Sequence, residues 1–304
     1  MRDTAMLNTK IDTSIPFFEQ LANLVKEQII DLEVKNVYEH WNTFLANGLT
    51  LPESEVVKRD KKLLRHEKQF IPSDAYLLGV DLPSWFGDFK SKNRIMVIGI
   101  DPMRSAKDFE KAKANESQDV IIGTPYAMHD SKNRDWAKRN KHYFGFIDAI
   151  SSENFVYLTD IYKTFFYTKD SKDAKKRSYK YYNDLDKENI EEKDSIRDSV
   201  LKTLCKEIEF VKPNIIITLG GISFSQLTNR GITFNKNPEI EKVHFTEEVL
   251  ADKKDIDILP FVHLAAHFPS MELFIKRNLN KELKKGENEN YGTLYYDILK
   301  EYLK

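Results

Sequence analysis

After residue 90, short and largely apolar runs recur along the chain, and each ends in polar residues or glycine. Four runs stand out: Arg94–Ile100, Phe155–Ile161, Asn214–Gly221 and Ile258–His267. Runs of this length and composition are typical of parallel strands that are buried on both faces of a sheet. The pattern therefore predicts four strands of a parallel sheet.

Segments with helical spacing of apolar residues separate these runs. HYFGFIDAI precedes the second run, DSIRDSVLKTLCKEIEFV precedes the third, ISFSQLTNR follows the third, and SMELFIKRNLNKEL follows the fourth. We expect two further helices, near 108–114 and 294–303. Strands that alternate with helices form right-handed βαβ units. The sequence thus predicts an α/β fold with three α/β/α layers around a central, mostly parallel four-stranded sheet.

The first ninety residues have a different pattern. Residues 15–47 carry apolar side chains at helical spacing, which predicts one or two amphipathic helices, whereas residues 48–82 are mixed and are expected to wrap the surface. We therefore expect an N-terminal helical extension, residues 1–90, packed on an α/β domain of residues 91–304. A charged segment near 168–195 is interpreted as an insertion in that domain.

Composition is compatible with one sizeable core, because 41% of the 304 residues are hydrophobic and 12% are aromatic. The formal net charge of −1 does not indicate a nucleic-acid partner, although 56–68, 132–144 and 163–182 are locally basic. The last of these stretches interleaves Lys and Arg with Tyr and Phe. That pattern suits phosphate contacts beside base stacking, and it equally suits a solvated insertion.

Several classes of site are excluded by what the sequence lacks. A single cysteine, Cys205, rules out an intramolecular disulfide, a cysteine zinc cage and a four-cysteine iron–sulfur cluster, and its place in a helical pattern suggests a core residue. Zinc-protease, phosphate-loop and serine-nucleophile motifs are all missing. We therefore expect neither a metal nor a cofactor.

With no signal-peptide pattern and no apolar run of about 18 residues, we expect a cytoplasmic protein without membrane contact.

Polar residues collect where the four predicted strands end. They are Asp101 with Pro102, Asp160, Gly220-Gly221 with Ser223, and His263 followed by His267 and Ser270. In open α/β sheets, ligands bind beyond the carboxyl ends of the strands. Each feature also has a structural interpretation: the two aspartates can start or cap turns, the glycine pair can permit close packing, and His263 can be a core residue. Their joint placement at one edge favours a ligand site.

These residues resemble the motifs of the uracil-DNA glycosylase superfamily. That family has a G-x-[DN]-P segment after its first core strand, a middle strand that ends in Asn or Asp, and a late H-P-S segment. The corresponding segments here are Gly99-Ile100-Asp101-Pro102, Tyr157-Leu158-Thr159-Asp160 and His267-Phe268-Pro269-Ser270. The strand in PNIIITLGG also resembles the third core strand of the family. The resemblance covers roughly residues 94–283.

The resemblance implies roles for individual residues in cleaving an N-glycosidic bond. Asp101 resembles the carboxylate that stabilises positive charge on the sugar and orients water, and His267 resembles the donor to the departing base. The base would be rotated out of the duplex into a pocket, and Met271 resembles the apolar wedge that fills the gap. The resemblance also implies base contacts from Gly99, Ile100, Pro102, Tyr126 and Asp160, and DNA contacts from Arg104, Ser223, Ser270 and Met271. DNA is the implied partner, and no obligatory protein partner is expected.

Three departures from the family pattern bear on the substrate. Phe268 interrupts the H-P-S segment, and Met103 replaces the tyrosine that excludes the methyl group of thymine. Asp160 stands where the family often has a uracil-reading Asn. An ionised Asp only accepts hydrogen bonds, so it suits the exocyclic amine of cytosine better than O4 of uracil. The expected base is therefore uracil, as the resemblance implies, or, from Asp160, a modified cytosine, as in defence against phage DNA. A modified cytosine is predicted over cytosine itself because removal of ordinary cytosine would be toxic.

Two other functions are compatible with the same sequence. A catalytically silent member of this fold could recognise DNA or a protein, which the interrupted late motif and the near-neutral charge favour. A nucleoside or nucleotide hydrolase could share the sheet without binding DNA.

Overall fold

The computed structural model describes residues 11–30, 32–43, 75–100, 102, 121–128, 141–168, 190–228, 230–231, 243–244, 256–264, 268–283 and 290–303. Its helices in these segments are α1 (Phe18–Gln28), α2 (Val34–Thr43), α3 (Lys141–Ser151), α4 (Ile190–Val211), α5 (Gly221–Thr228), α6 (Phe268–Leu279) and α7 (Tyr291–Lys300). Its strands are β1 (Ala75–Asp81), β2 (Ser84–Phe86), β3 (Arg94–Gly99), β4 (Ile121–Gly123), β5 (Phe155–Asp160), β6 (Thr164–Thr168), β7 (Ile215–Leu219), β8 (Val243–His244) and β9 (Asp257–Phe261).

The central sheet has the strand order β2-β5-β3-β7-β9-β8. The four predicted strands are β5, β3, β7 and β9, and all of them are mutually parallel. The predicted number of strands was too low, because β2 and β8 add an antiparallel strand at each edge. These edge strands have three and two residues, which is too short to produce a recognisable periodicity.

Alternating residues of the central strands divide between two separate cores. In β3, Ile95 and Val97 belong to the core that contains α3, α6 and α7, whereas Met96 and Ile98 belong to the core that contains α1, α2 and α4. Successive side chains of a strand point to opposite faces, so helices must cover both faces of the sheet. The predicted three-layer α/β/α fold is confirmed.

The N-terminal helices pack directly on the sheet. The predicted one or two helices in residues 15–47 are two helices, α1 and α2. Phe17, at the start of α1, has its ring centroid 5.4 Å from that of Trp85, 5.7 Å from that of Tyr157 and 5.3 Å from that of Phe210. These contacts join the amino-terminal segment to β2, β5 and α4, so the core on this face is continuous.

Residues 75–81 and 84–86 form strands, whereas the sequence predicts a helical extension over 1–90 with a surface segment at 48–82. Strand β1 is the middle strand of a second sheet with the order β4-β1-β6. It pairs in parallel with β4 and antiparallel with β6. A domain boundary at residue 90 remains a prediction, but the residues before it are not purely helical.

Helices α3 and α7 pack in close contact through glycine. A Cβ built at Gly292 would overlap the carbonyl oxygen of His142, and one built at Gly145 would overlap the amide of Asn290. Asn290 caps α7, because its side-chain oxygen accepts a hydrogen bond from the Gly292 amide at 2.9 Å. The two helices therefore form one tightly joined layer.

Some expectations fall largely on other parts of the chain. The helix near 108–114 and the basic stretch at 56–68 lie outside the described residues, as do most of the 132–144 stretch and of the charged insertion near 168–195. Helix α4 begins at Ile190, within the expected insertion. Among the described helices, none combines the length and apolarity that crossing a membrane requires.

Candidate active site

The carboxyl ends of β5, β3, β7 and β9 lie along one edge of the central sheet, because these four strands are parallel neighbours. Strand β5 ends in Asp160, β3 ends in Gly99, β7 leads into Gly220, and β9 leads into His263. Three spacings of about 4.8 Å separate β5 from β9, so this edge spans roughly 14 Å. A nucleotide and its contacting side chains fit within that distance.

Gly99 and Asp160 form the centre of this edge. They are paired residues of β3 and β5, and Asp160 is 3% exposed. A Cβ built at Gly99 would overlap Oδ1 of Asp160 and would lie 2.9 Å from the hydroxyl of Tyr126. The absence of a side chain at Gly99 therefore lets the Asp160 carboxylate and the Tyr126 hydroxyl approach the same point.

Tyr126 lies in a short 3-10 turn, Pro125–Ala127, that follows β4. Its φ of 57° and that of Ala127, 53°, are in the left-handed region. For residues other than glycine this conformation costs about 1–3 kcal/mol, and such strain is concentrated at functional sites. The ring of Tyr126 is half-buried and stacks on Tyr143 of α3, with centroids 4.0 Å apart and an interplanar angle of 18°.

His263 comes from the far end of the same edge. Its half-buried imidazole lies near the hydroxyl of Tyr143, which is 2.8 Å from Nδ1 and 3.1 Å from Nε2. The His263 ring centroid is 6.0 Å from that of Tyr126. Gly220, which follows β7, has a φ of 98°, a backbone conformation that favours glycine, and a Cβ built there would be in ordinary contact with the His263 side chain at 3.7 Å. His263 thus joins the aromatic pair rather than a closed hydrophobic core.

A fully buried ion pair lies behind Asp160. Lys163 Nζ is 2.8 Å from Glu207 Oε2, and both side chains are 0% exposed. Burial raises the pKa of the Glu207 carboxyl, and the positive charge of Lys163 opposes that shift. Lys163 begins the basic stretch 163–182, for which both phosphate contacts and a solvated insertion are expected, but this lysine is buried and cannot reach a phosphate.

The structure brings together some of the predicted base-binding residues. Gly99, Tyr126 and Asp160 are in contact, as described above. Ile100 is half-buried, and its carbonyl oxygen accepts a hydrogen bond from the Tyr162 amide at 2.9 Å, which continues the pairing of β3 and β5 beyond Gly99. Pro102 is buried. The predicted residues Asp101, Arg104 and His267 lie outside the described residues.

Two of the predicted DNA contacts are inside the protein. Ser223 is 1% exposed, and its hydroxyl donates to the Leu219 carbonyl oxygen at 3.1 Å within the start of α5. Met271 is 6% exposed and packs in the core with α3 and α7. The helical phase of α5 and α6 turns both side chains inward, so neither is placed to contact DNA. Ser270, in the first turn of α6, is partly exposed.

Tyr143 and Glu207 were not identified from the sequence. Both occupy ordinary helical positions, and their partners are 120 and 50 residues away. The sequence places His263 at the end of its strand, where a role in the core is its structural interpretation. The position of His263, two residues after β9 and at the edge of a parallel sheet where ligands bind, was the sequence feature that indicated a site residue.

Within the described segments, no group of three or more His, Cys, Asp or Glu side chains could hold a metal ion. The site described here consists instead of one buried carboxylate, two stacked tyrosines and an imidazole. Such a set can stack on a flat ring and form hydrogen bonds along its edge.

Two comparisons with known proteins bear on the family of this chain. A search of curated proteins found no match. The model of the uracil DNA glycosylase superfamily matches residues 86–284, which is about two thirds of the chain and includes all four parallel strands of the central sheet. The chain therefore belongs to the uracil DNA glycosylase superfamily.

Proposed function

We propose that this protein is a DNA glycosylase that hydrolyses the N-glycosidic bond of a flipped-out base, and that the base is a modified cytosine. The observation that carries the proposal is the position of Asp160. Its carboxylate lies against Gly99, beside Tyr126, at the carboxyl edge of the parallel sheet.

Asp160 provides the preference for cytosine. An ionised carboxylate accepts hydrogen bonds and donates none, so it pairs with the exocyclic amine of cytosine and repels O4 of uracil. Asn at this position would offer a donor as well as an acceptor. Because Asp160 is almost completely buried, solvent weakens this discrimination little.

Tyr126 provides the surface on which the base stacks. Its ring is held by the stacked ring of Tyr143 on one side, and it is partly accessible to solvent. Stacking of a base on an aromatic side chain contributes about 1–3 kcal/mol and depends little on base identity. Tyr126 therefore supplies affinity for the flipped base, and Asp160 supplies the choice among bases.

The chemical step uses residues assigned by their likeness to the family motifs. The bond between C1′ and the base nitrogen breaks, and its electron pair leaves with the base. Asp101 stabilises the positive charge that develops on the sugar and orients the water that adds to C1′. His267 donates a hydrogen bond to the departing base, which takes up the proton that the water releases. His263, which contacts the Tyr143 hydroxyl, supplies an imidazole at the carboxyl edge of the sheet.

Arg104 and Ser270 are proposed to contact the DNA backbone, since both follow site segments along the chain. Ser223 and Met271 are left out of this role because their side chains are buried. A modified base is favoured over cytosine itself, because an enzyme that removed ordinary cytosine would damage its own genome. Defence against foreign DNA, including phage DNA, is a function that fits such a substrate.

The proposal is tested by measuring abasic sites in duplexes that carry uracil, cytosine or a 5-substituted cytosine. We expect release of the 5-substituted cytosine, and loss of release in Asp101→Asn without loss of DNA affinity. Asp160→Asn is expected to shift the preference towards uracil by at least about tenfold, the equivalent of one good hydrogen bond to a base edge.

Asp88→Asn is the matched control, because Asp88 is exposed in the turn before β3, at the opposite edge of the sheet. Its side chain accepts from the Lys90 amide at 2.9 Å, which an Asn oxygen also does. Release of uracil alone by the wild type would reject the cytosine preference. Salt-dependent DNA binding without release of any base would instead identify a binding module.

A further inference from the structure

The ion pair between Lys163 and Glu207 links two distant parts of the chain. Lys163 precedes β6, and Glu207 lies on α4. The distance from Nζ to Oε2 is 2.8 Å, and neither side chain is exposed to solvent. A pair in this position does not contact DNA or a diffusing ligand directly.

The side chains of this pair form hydrogen bonds with three residues of β5, namely Tyr157, Thr159 and Asp160. Lys163 Nζ donates to the Thr159 hydroxyl at 2.6 Å and to the Asp160 carbonyl oxygen at 2.7 Å. Glu207 Oε1 accepts from the Tyr157 hydroxyl at 2.9 Å and from the Thr159 hydroxyl at 3.2 Å. The pair therefore holds Tyr157, Thr159 and Asp160, the last of which ends the strand.

Stability alone is a weak reason for such a cluster. Removing two charges from water is costly, and a buried ion pair can often be replaced by uncharged residues of similar volume without loss of stability. What uncharged residues cannot reproduce is the set of directional hydrogen bonds to the end of β5. A carboxylate that reads a base edge must be held within a fraction of an ångström.

We propose that Lys163 and Glu207 are positioning residues that fix the end of β5, so that the Asp160 carboxylate stays against Gly99 and selects the base. This inference rests on the proposed function. Lys163 acts on the main chain of Asp160, and Glu207 acts through Tyr157 and Thr159. Neither residue touches the substrate.

The test is the double variant Lys163→Met/Glu207→Gln. It removes both charges, keeps the side-chain volumes similar, and keeps an oxygen acceptor for Tyr157. We expect the variant to fold, with a somewhat lower melting temperature than the wild type, because the Asp160 carbonyl oxygen loses a buried donor. The ratio of single-turnover release rates for 5-substituted cytosine and uracil is expected to move at least about tenfold towards unity, as for a misplaced contact in an active site.

Lys276→Met/Glu282→Gln is the matched control. This pair, on and after α6, has the same charges and a 2.6 Å separation, but its side chains are 50% and 78% exposed. It should leave the ratio of release rates unchanged. If the buried double variant does not fold, Thr159→Val tests the positioning role in its place. This substitution removes only the hydroxyl that is hydrogen-bonded to both Lys163 and Glu207. A smaller shift in the same direction supports the positioning role.

The two proposals fail in different ways. If the wild type releases no base from any duplex, the proposed function is rejected, and this inference is rejected with it. If the wild type is active and either a folded double variant or Thr159→Val keeps the wild-type ratio, only the positioning role is overturned. Whichever base the wild type prefers, its ratio of release rates for 5-substituted cytosine and uracil can be compared with the ratio of each variant.

Discussion

Gly99 determines how closely Asp160 and Tyr126 approach each other at the candidate site. We expect Gly99→Ala to lower the rate of base release by at least about tenfold, because the new Cβ would occupy the space of Asp160 Oδ1 and press on the Tyr126 hydroxyl. The rate is measured in single turnover, with circular dichroism to verify folding. Gly231→Ala is the control, since no atom lies within 4 Å of a Cβ built there. An unchanged rate in folded Gly99→Ala would contradict this account of the site.

Individual site residues were predictable only where a local motif contained them. Gly99 and Asp160 end apolar strand patterns, and Tyr126 follows a Gly-Thr-Pro segment, so their neighbours along the chain identify them. Tyr143 and Glu207 have no such context, because their importance comes from partners brought near by folding. Ser223 and Met271 are predicted from the sequence to contact DNA, but the rotation of their helices turns their side chains inward.

At the scale of elements, the parallel strands were predictable because they are buried on both faces and are therefore apolar throughout. The edge strands β2 and β8 and the strands of the small sheet do not have this signature. Strand β6 lies at the start of the basic stretch 163–182, whose composition suits either phosphate contacts or a solvated insertion and does not predict a strand. Strand β9 ends at Phe261, earlier than the apolar pattern suggested. Apolar runs thus predict which strands are central, but not how many strands the sheet has.

The joint between α3 and α7 has a polar contact that depends on pH. Nδ1 of His142 accepts a hydrogen bond from the Tyr291 amide at 3.2 Å, at the start of α7, and the His142 ring stacks on Tyr291. Burial, assisted by the charge of Lys141, lowers the pKa of His142 to about 4. Protonation would also place a positive charge at the amino end of α7, which the helix dipole disfavours.

This lowered pKa predicts a loss of stability in acid. In the unfolded chain His142 has its ordinary pKa of about 6.5, so between pH 6.5 and 4 the unfolded state binds more protons than the folded state. Stability contributed by neutral His142 is complete above pH 6.5 and is lost as the pH falls towards 4. We expect His142→Asn, which keeps an acceptor for the Tyr291 amide, to reduce this loss by about 1 kcal/mol, since the half-buried ring is partly screened.

The measurement is the free energy of unfolding in urea at pH 7 and pH 4.5. His40→Asn, on α2 in the other helical layer, controls for the removal of a histidine elsewhere. The difference between the two pH values should be smaller in His142→Asn than in the wild type and in the control. Equal differences in all three proteins would show that His142 does not cause the loss.

At the scale of the whole molecule, the two cores draw on segments outside the part that matches the family. Helices α1 and α2 precede residue 86, and α7 follows residue 284. Phe17, Leu21 and Val25 are at most 2% exposed in the first core, and Tyr295 and Leu299 are 0% exposed in the second. The family match covers the four parallel strands and the site, but part of the helical cover on each face of the sheet lies outside the matched segment.

The fragment 86–284 is therefore expected not to fold cooperatively. Without α1, α2 and α7, apolar residues on both faces of the sheet would be exposed, and each large side chain left uncovered forfeits about 1.5–3 kcal/mol, against a typical stability of only 5–15 kcal/mol for a whole domain. The measurement is thermal unfolding by circular dichroism, with ANS fluorescence to report exposed apolar surface, in the fragment and the full chain. We expect a broad or absent transition and strong ANS binding in the fragment alone. A fragment that unfolds cooperatively at the melting temperature of the full chain would show that the outer helices contribute little, and the continuous core described here would then not be what stabilises the sheet.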